Sequence, residues 1–367
     1  MSTTVDRLAV QAAAGRPLAL PYHPLYRFYD GGALTRRFRG LADTPDDHWS
    51  EDWVGSGTLA GNAGPDGRPQ GLSIVDAGPL GPMPLQALIE AAPDVMVGAA
   101  FADRWGATAG VLVKLLSPAG QVPLHAHPTR AWARQHLGSP FGKTEAWIIL
   151  DAPGDGREPA YAGIGFRPGI DRAAFEAAAR GHDGAAVRST LHRFEVTAGQ
   201  VYVAHGGVPH YLGPRISFIE VQEPTDQIVI AETDGSDDAG ATMGLGWDLA
   251  LDMIDYEATD RDATLARASQ GPRLVRESHG SREIRLFQDD VGEFFDATRL
   301  EVEGEIAVED GRFYIGVVTG GSGTLEGDFG SLAVRRGETF ACAASLAHRF
   351  RSGHERLSVV RCLGPRV

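Results

Sequence analysis

Four residues in this chain combine donor type and spacing in a way that points to a bound metal. His125 and His127 alternate within PLHAHP, and on a strand residues two apart project to the same side. Glu145 follows His127 by eighteen residues, and His210, closing AHGGVPH, follows Glu145 by sixty-five. Three imidazoles and one carboxylate make a mixed nitrogen and oxygen set for a borderline divalent ion, with room for a water or substrate oxygen. The remaining histidines sit among polar or turn residues and read as surface or satisfied structural groups. His205 is the ambiguous one, because it begins the turn that presents His210.

Such a set needs strands to aim it, and the sequence supplies them. Gly and Pro, 47 and 22 in number, break the chain into short β-branched and aromatic runs, the pattern of an all-β architecture with many turns. Gly110–Ser117, Ala146–Asp151, Ala160–Phe166, Gln200–Ala204 and Ile216–Gln222 read as strands. Helical spacing is confined to Pro84–Ala92, Arg172–Arg180 and Gly246–Tyr256. The acidic, glycine-rich Thr233–Gly240 has too few apolar residues to pack and reads as a surface loop. After the polar stretch Glu257–Glu283, strand signals resume in Phe313–Val318, Ser331–Val334 and Leu357–Cys362, and predict a second β-domain. Gly199–Val203 followed by His210, and Gly337–Ala341 followed by His348, hint at a duplicated barrel. The division expected is a metal-binding domain with an N-terminal extension over 1–240, a helical linker over 241–280 and a degenerate barrel over 281–367.

Composition narrows the partners. A chain of 367 residues, 43% hydrophobic and 22% charged, is long enough for two buried cores. Its formal net charge of −14, without a long basic run, argues against nucleic acid. No apolar stretch approaches a membrane span and none at the N-terminus resembles an export signal, so the expectation is a cytoplasmic protein with no membrane contact. Cys342 and Cys362 lie far from every other motif and are expected to be core residues. Of the 34 basic residues only Lys114 and Lys143 are lysine, as if lysine were reserved for places needing a compact charge or a titratable amine.

The order HxH, Glu, His resembles the cupin pattern, in which these residues converge inside a small jelly-roll barrel. The run GKTEAWIIL, Gly142 to Leu150, is similar to the signature of the type I phosphomannose isomerases in their short, two-cupin form, and the likeness extends along nearly the whole chain. SEDWVGS at 50–56, VLVKLLS at 111–117, the Gly199–His210 turn, EVQ at 220–222, LALDMID at 249–255, EIRLF at 283–287 and AHRF at 347–350 all resemble family phrases. The resemblance implies a mainly β fold of two cupin domains and a metal-assisted aldose–ketose isomerisation of a small sugar. The resemblance implies zinc as the metal, while the three-histidine, one-glutamate set that His125 creates admits iron, manganese or nickel. Within that chemistry, Lys143 and Glu220 are the acid/base candidates, and Lys114, Gln222 and Arg215 the substrate-binding ones. The structural alternatives are a solvated Lys143 capping its strand and a Glu220 that merely pairs with Arg215.

Three positions depart from the family pattern. His125 replaces a ligand glutamine, Pro123 stands where a phosphate-contacting serine is usual, and Ile230 stands where the family carries an arginine credited with catalysis and with the phosphate end of the substrate. Loss of that guanidinium weakens phosphate recognition. The expected substrate is therefore a non-phosphorylated or modified sugar. A metal-dependent cupin oxygenase and a non-catalytic sugar-binding cupin are the competing functions, and no oligomeric state is read from the sequence.

Overall fold

A computed structural model of the chain describes residues 6–367 and shows two antiparallel β-barrels packed side by side. The first is built from a six-stranded sheet, ordered Val201–Ala204, Glu145–Asp151, Ser217–Gln222, Leu112–Leu116, Glu51–Val54 and Pro24–Leu25, facing a five-stranded sheet. The second sheet runs Leu191–Glu195, Tyr161–Phe166, His210–Leu212, Val122–Ala126 and Val229–Ile230. The second barrel has a seven-stranded sheet, with Thr339–Cys342, Tyr314–Gly320, Leu357–Leu363 and Asp296–Val302 at its centre, and a four-stranded sheet. The N-terminal segment ties the two together, for Leu18–Ala19 pairs with Phe340 and Ala341 while Pro24–Leu25 pairs with Glu51 and Asp52.

Strand periodicity explains how the first barrel keeps charge inside an apolar wall. In Leu112–Leu116 and Ser217–Gln222 every residue is buried, so both faces of the sheet are covered. Val113, Leu115, Ile219 and Val221 point outward into one core shared with Ile315, Val317, Ala341 and Val360 of the second barrel. Each such fully buried side chain contributes roughly 1.5–3 kcal/mol. The alternate positions point inward, and that is where Lys114, Glu220 and Gln222 fall, paired in register as Lys114 with Glu220 and Gln222 with Glu145.

The strands expected from the sequence appear at Leu112–Leu116, Glu145–Asp151, Tyr161–Phe166, Val201–Ala204 and Ser217–Gln222, and the helix at Arg172–Arg180, capped by Asp171. The Gly246–Tyr256 helix is shorter, Trp247–Asp252, because the chain is drawn away so that Asp255 N donates to Gly207 O on the turn before His210. The polar stretch 257–283 is more ordered than its composition suggests. It holds the helix Arg261–Ala268 and a hairpin, Arg273–Ser278 with Ser281–Arg285, whose charged outer strand forms the edge of the seven-stranded sheet. Helices at Ala33–Phe38, Ala99–Trp105 and Arg130–Leu137 also escape the sequence reading. Cys342 and Cys362 are free and buried in the second barrel. Among the described residues no single helix is long and apolar enough to cross a membrane.

Candidate metal centre

His125, His127, Glu145 and His210 converge inside the first barrel, with one potential ligand atom from each lying within 4.8 Å of the others, and all four are buried. His125 belongs to the Val122–Ala126 strand and His127 follows it by one residue. His210 opens the neighbouring strand directly opposite His125, and Glu145 opens its strand across the barrel. Two glycines let the connecting turns close over Pro128. A Cβ on Gly142 would sit 2.4 Å from Pro128 O, and one on Gly206 would sit 2.7 Å from the same oxygen.

Each imidazole is oriented by a backbone carbonyl. The Nδ1 atoms of His125, His127 and His210 lie 2.7, 2.8 and 2.8 Å from the carbonyl oxygens of Pro123, Gln227 and Val208. A carbonyl only accepts, so each Nδ1 carries the proton and each neutral ring keeps its lone pair on Nε2, the tautomer a metal requires. Burial, reinforced by the neighbouring imidazoles, holds the His125 pKa well below its usual value. Burial and the Lys143 ammonium bring that of His127 down to about 3. Burial alone would raise the Glu145 carboxyl, but Lys143 and His127 hold it well below the ordinary carboxylate range. His125, His127 and Glu145 are thus held deprotonated near neutral pH, as metal binding requires. Glu145 Oε1 accepts from Trp147 Nε1 at 3.0 Å, but with both rings neutral the His127 Nε2 lone pair lies 2.9 Å from Glu145 Oε2, and His210 Nε2, buried without a hydrogen-bond partner, lies 3.2 Å from Glu145 Oε1. Acceptor lone pairs facing one another are costly in a barrel interior and are what a cation relieves, so these residues fit a divalent metal.

The two lysines both end here. Lys143 lies two residues ahead of its strand, held by its own N–H to Pro128 O, and its Nζ is 3.0 Å from His127 Nε2 and 3.1 Å from Glu145 Oε2. It is 4% exposed, which excludes the solvated-cap alternative. Lys114 Nζ lies 3.0 Å from Glu220 Oε2, 3.8 Å from Glu51 and 4.0 Å from Asp226, over the face of Trp53. Burial would lower its pKa, but those carboxylates raise it. Burial raises the Glu220 carboxyl, with Glu145 adding to the effect.

The chain matches no family model. It is 22% identical over 324 residues to the mannose-6-phosphate isomerase of Streptococcus mutans, spanning 88% of this chain and 90% of that one. The chain is a distant homologue of the mannose-6-phosphate isomerases. Its fold is similar to the crystal structure of the mannose 6-phosphate isomerase from Bacillus subtilis, with a TM-score of 0.73 at 21% identity over 94% of this chain and 99% of the other. It is also similar to a mannose 6-phosphate isomerase bound with zinc and yttrium, with a TM-score of 0.67 at 15% identity over 95% and 100% of the two chains.

Against this mannose-6-phosphate isomerase-like frame, the other sequence candidates divide. Gln222 is fully buried, its Nε2 donating to the carbonyls of Glu223 and Thr225 while its Oε1 has no partner. Arg215 is not brought to the site. It stands exposed in the turn after His210–Leu212, with a left-handed φ of 56°, and the pairing with Glu220 read from sequence is made by Lys114 instead. His205 faces Phe294 and a separate cavity. Ile230 pairs with His125 across the sheet and supplies no cation.

Sequence reasoning missed Arg27, Glu51 and Asp226. Arg27 Nη1 donates to Asp226 at 3.0 Å and its Nε lies 3.2 Å from Glu51; Glu51 also accepts from Tyr29 Oη and Trp53 Nε1, and Asp226 from Gly61 N. The alternation of Glu51 with Trp53 was the one available signal, since Trp53 pairs with Lys114.

Proposed function

We propose that this chain is a metal-dependent aldose–ketose isomerase acting on a sugar without a phosphate group. The observation that carries the reading is the buried Lys143 ammonium placed against the His127–Glu145 edge of a fitted metal site, in a distant homologue of isomerases. His125, His127, Glu145 and His210 would hold the ion, zinc in the first instance. A divalent ion there supplies Lewis-acid polarisation of a sugar oxygen.

Lys143 is positioned to donate a proton or hydrogen bond to an oxygen of the bound sugar. Glu220, whose carboxyl is raised by burial and by Glu145, is the partner that takes and returns the proton between C1 and C2. Lys114, 3.0 Å from Glu220, fixes its orientation, and the buried Gln222 Oε1 is an acceptor for a hydroxyl. The case against a phosphorylated substrate is electrostatic. Arg27 and Lys114 are both engaged by internal carboxylates, and with Glu51, Glu220 and Asp226 they form a buried group carrying a net negative charge. Ile230 adds no countercharge.

The test is turnover of mannose, fructose and related sugars, each with and without a 6-phosphate, by protein of measured metal content. Preference for the unphosphorylated member supports the reading. Preference for the phosphate refutes the substrate class, and no turnover of any member by metal-loaded protein refutes the isomerase. The three-histidine, one-glutamate set created by His125 also favours a second reading, a cupin oxygenase. Iron retained on aerobic purification with oxygen uptake would establish it, and tightly held zinc alone would dismiss it.

A further inference from the structure

The second barrel holds no counterpart of the metal cluster among the described residues; its His348 Nδ1 donates to Leu346 O and its Nε2 accepts from Tyr314 Oη at 2.6 Å. It does contain a cavity of about 260 Å³ on its seven-stranded sheet. Three adjacent strands set Arg285, Thr298 and Arg361 in one row across this sheet, paired Arg285 with Thr298 and Thr298 with Arg361, and Arg276 and Arg312 complete the cationic lining.

The hydrogen-bond accounting of this cavity is one-sided. Glu283 Oε1 accepts from Arg361 Nη1 and Oε2 from Arg276 Nε. Asp296 Oδ1 accepts from Ala297 N, and Oδ2 from Arg312 Nη1 and Arg366 Nε. Both oxygens of Asp310 accept from Arg361 Nη2. Every oxygen of these three carboxylates is therefore committed. What is left over is donors: Arg285 Nε, Arg361 Nε and Thr298 Oγ1 are buried and have no partner, and Arg361 is only 1% exposed. Four guanidiniums line the cavity beside three paired carboxylates and the exposed Glu309, and Arg285 also lies 3.5 Å from Asp289 and 3.8 Å from Asp296. Leftover buried donors, in a lining whose paired carboxylates are already committed, are satisfied by an acceptor-rich anion and not by a cation or an apolar molecule. The volume lies below the roughly 300–1,000 Å³ of sites for drug-sized ligands, which limits the guest to a small metabolite.

We propose that the second barrel carries a binding site for a small carboxylate- or phosphate-bearing anion, seated on Arg285, Thr298 and Arg361. The experiment is calorimetric titration of the full-length chain with inorganic phosphate and, separately, with malonate, before and after removal of metal by a chelator. The comparison is with Thr298→Val, which keeps the β-branched shape and removes the hydroxyl, and with Arg285→Met. The site requires that at least one anion bind, that binding persist without metal, and that either folded variant weaken it by about tenfold or more. The probe that binds more tightly names the ligand chemistry. Equal affinity in wild type and both variants, loss of binding on chelation, or no heat with either anion up to about 10 mM overturns the proposal.

Discussion

Replacing Asp226 by Asn isolates the charge logic of the first barrel. Asp226 is buried and accepts from Arg27 Nη1 and Gly61 N, with Lys114 4.0 Å away; burial opposes its ionisation, but Arg27 and Lys114 hold its pKa below the carboxylate range. Removing one partner of a buried ion pair usually costs about 3–5 kcal/mol because a bare charge is left behind. Here the group starts with three carboxylates against two cations, so Asp226→Asn leaves a balanced set and still accepts from Gly61 and Arg27. Its cost should be about 2 kcal/mol, close to that of one charge-assisted hydrogen bond. Arg27→Met strips a cation from a set already short of them and should cost at least about 3–5 kcal/mol. Urea unfolding of the metal-loaded protein measures both. The substitution should also change selectivity. At a separation of about 8 Å and an effective dielectric near 20, removing a unit charge is worth roughly 2 kcal/mol to a sugar phosphate, so for a phosphate seated at that distance the kcat/KM ratio of phosphorylated to unphosphorylated sugar should rise roughly thirtyfold. An Asp226→Asn variant that is destabilised as much as Arg27→Met, or whose selectivity does not move, refutes the reasoning.

Four further outcomes follow from the same geometry. Lys143→Met should lower kcat by about 10²–10⁴ with metal content unchanged, read by steady-state kinetics beside elemental analysis; unaltered kcat removes Lys143 from the chemistry. Trp147→Phe deletes the N–H held by Glu145 Oε1 and should weaken metal binding by about 10–100-fold in a chelator competition, with the fold intact by circular dichroism. Chelation of the wild type should lower the thermal midpoint, and metal at about a hundredfold over its Kd should restore about 2.7 kcal/mol; a midpoint indifferent to metal contradicts the site. Burial pushes the Asp52 carboxyl up to about 6 despite Arg39. Its folded pKa exceeds the unfolded one, so its contribution is complete below about pH 4 and lost as pH rises through about 6, by roughly 3 kcal/mol. The stability difference between wild type and Asp52→Asn should therefore shift in the variant's favour across that window, and a flat difference rejects the assignment.

Much of the first barrel was legible because strand periodicity is local. Alternation in PLHAHP and in SFIEVQ names which side chains share a face before any contact is known, and the order of His125, His127, Glu145 and His210 named the cluster that the barrel gathers. The scarcity of lysine marked Lys114 and Lys143, and both are interior. The hairpin at 273–285 and the helix Arg130–Leu137 were not legible, because one is an edge strand rich in charge and the other a short amphipathic turn whose apolar face is defined only by what it packs on.

Strand periodicity established a mainly β chain and put His125 and His127 on one face, while the barrel and the joining of Glu145 and His210 to them came from the family resemblance. Only the tertiary structure decided the protonation of the imidazoles, through the carbonyls of Pro123, Gln227 and Val208, and the charge environment around them. Arg27 and Asp226 are 199 residues apart, and their meeting depends on strand order and loop closure. Arg215, five residues from Glu220, is turned outward by a left-handed turn that no spacing reveals. Contacts between distant segments set the site's charge.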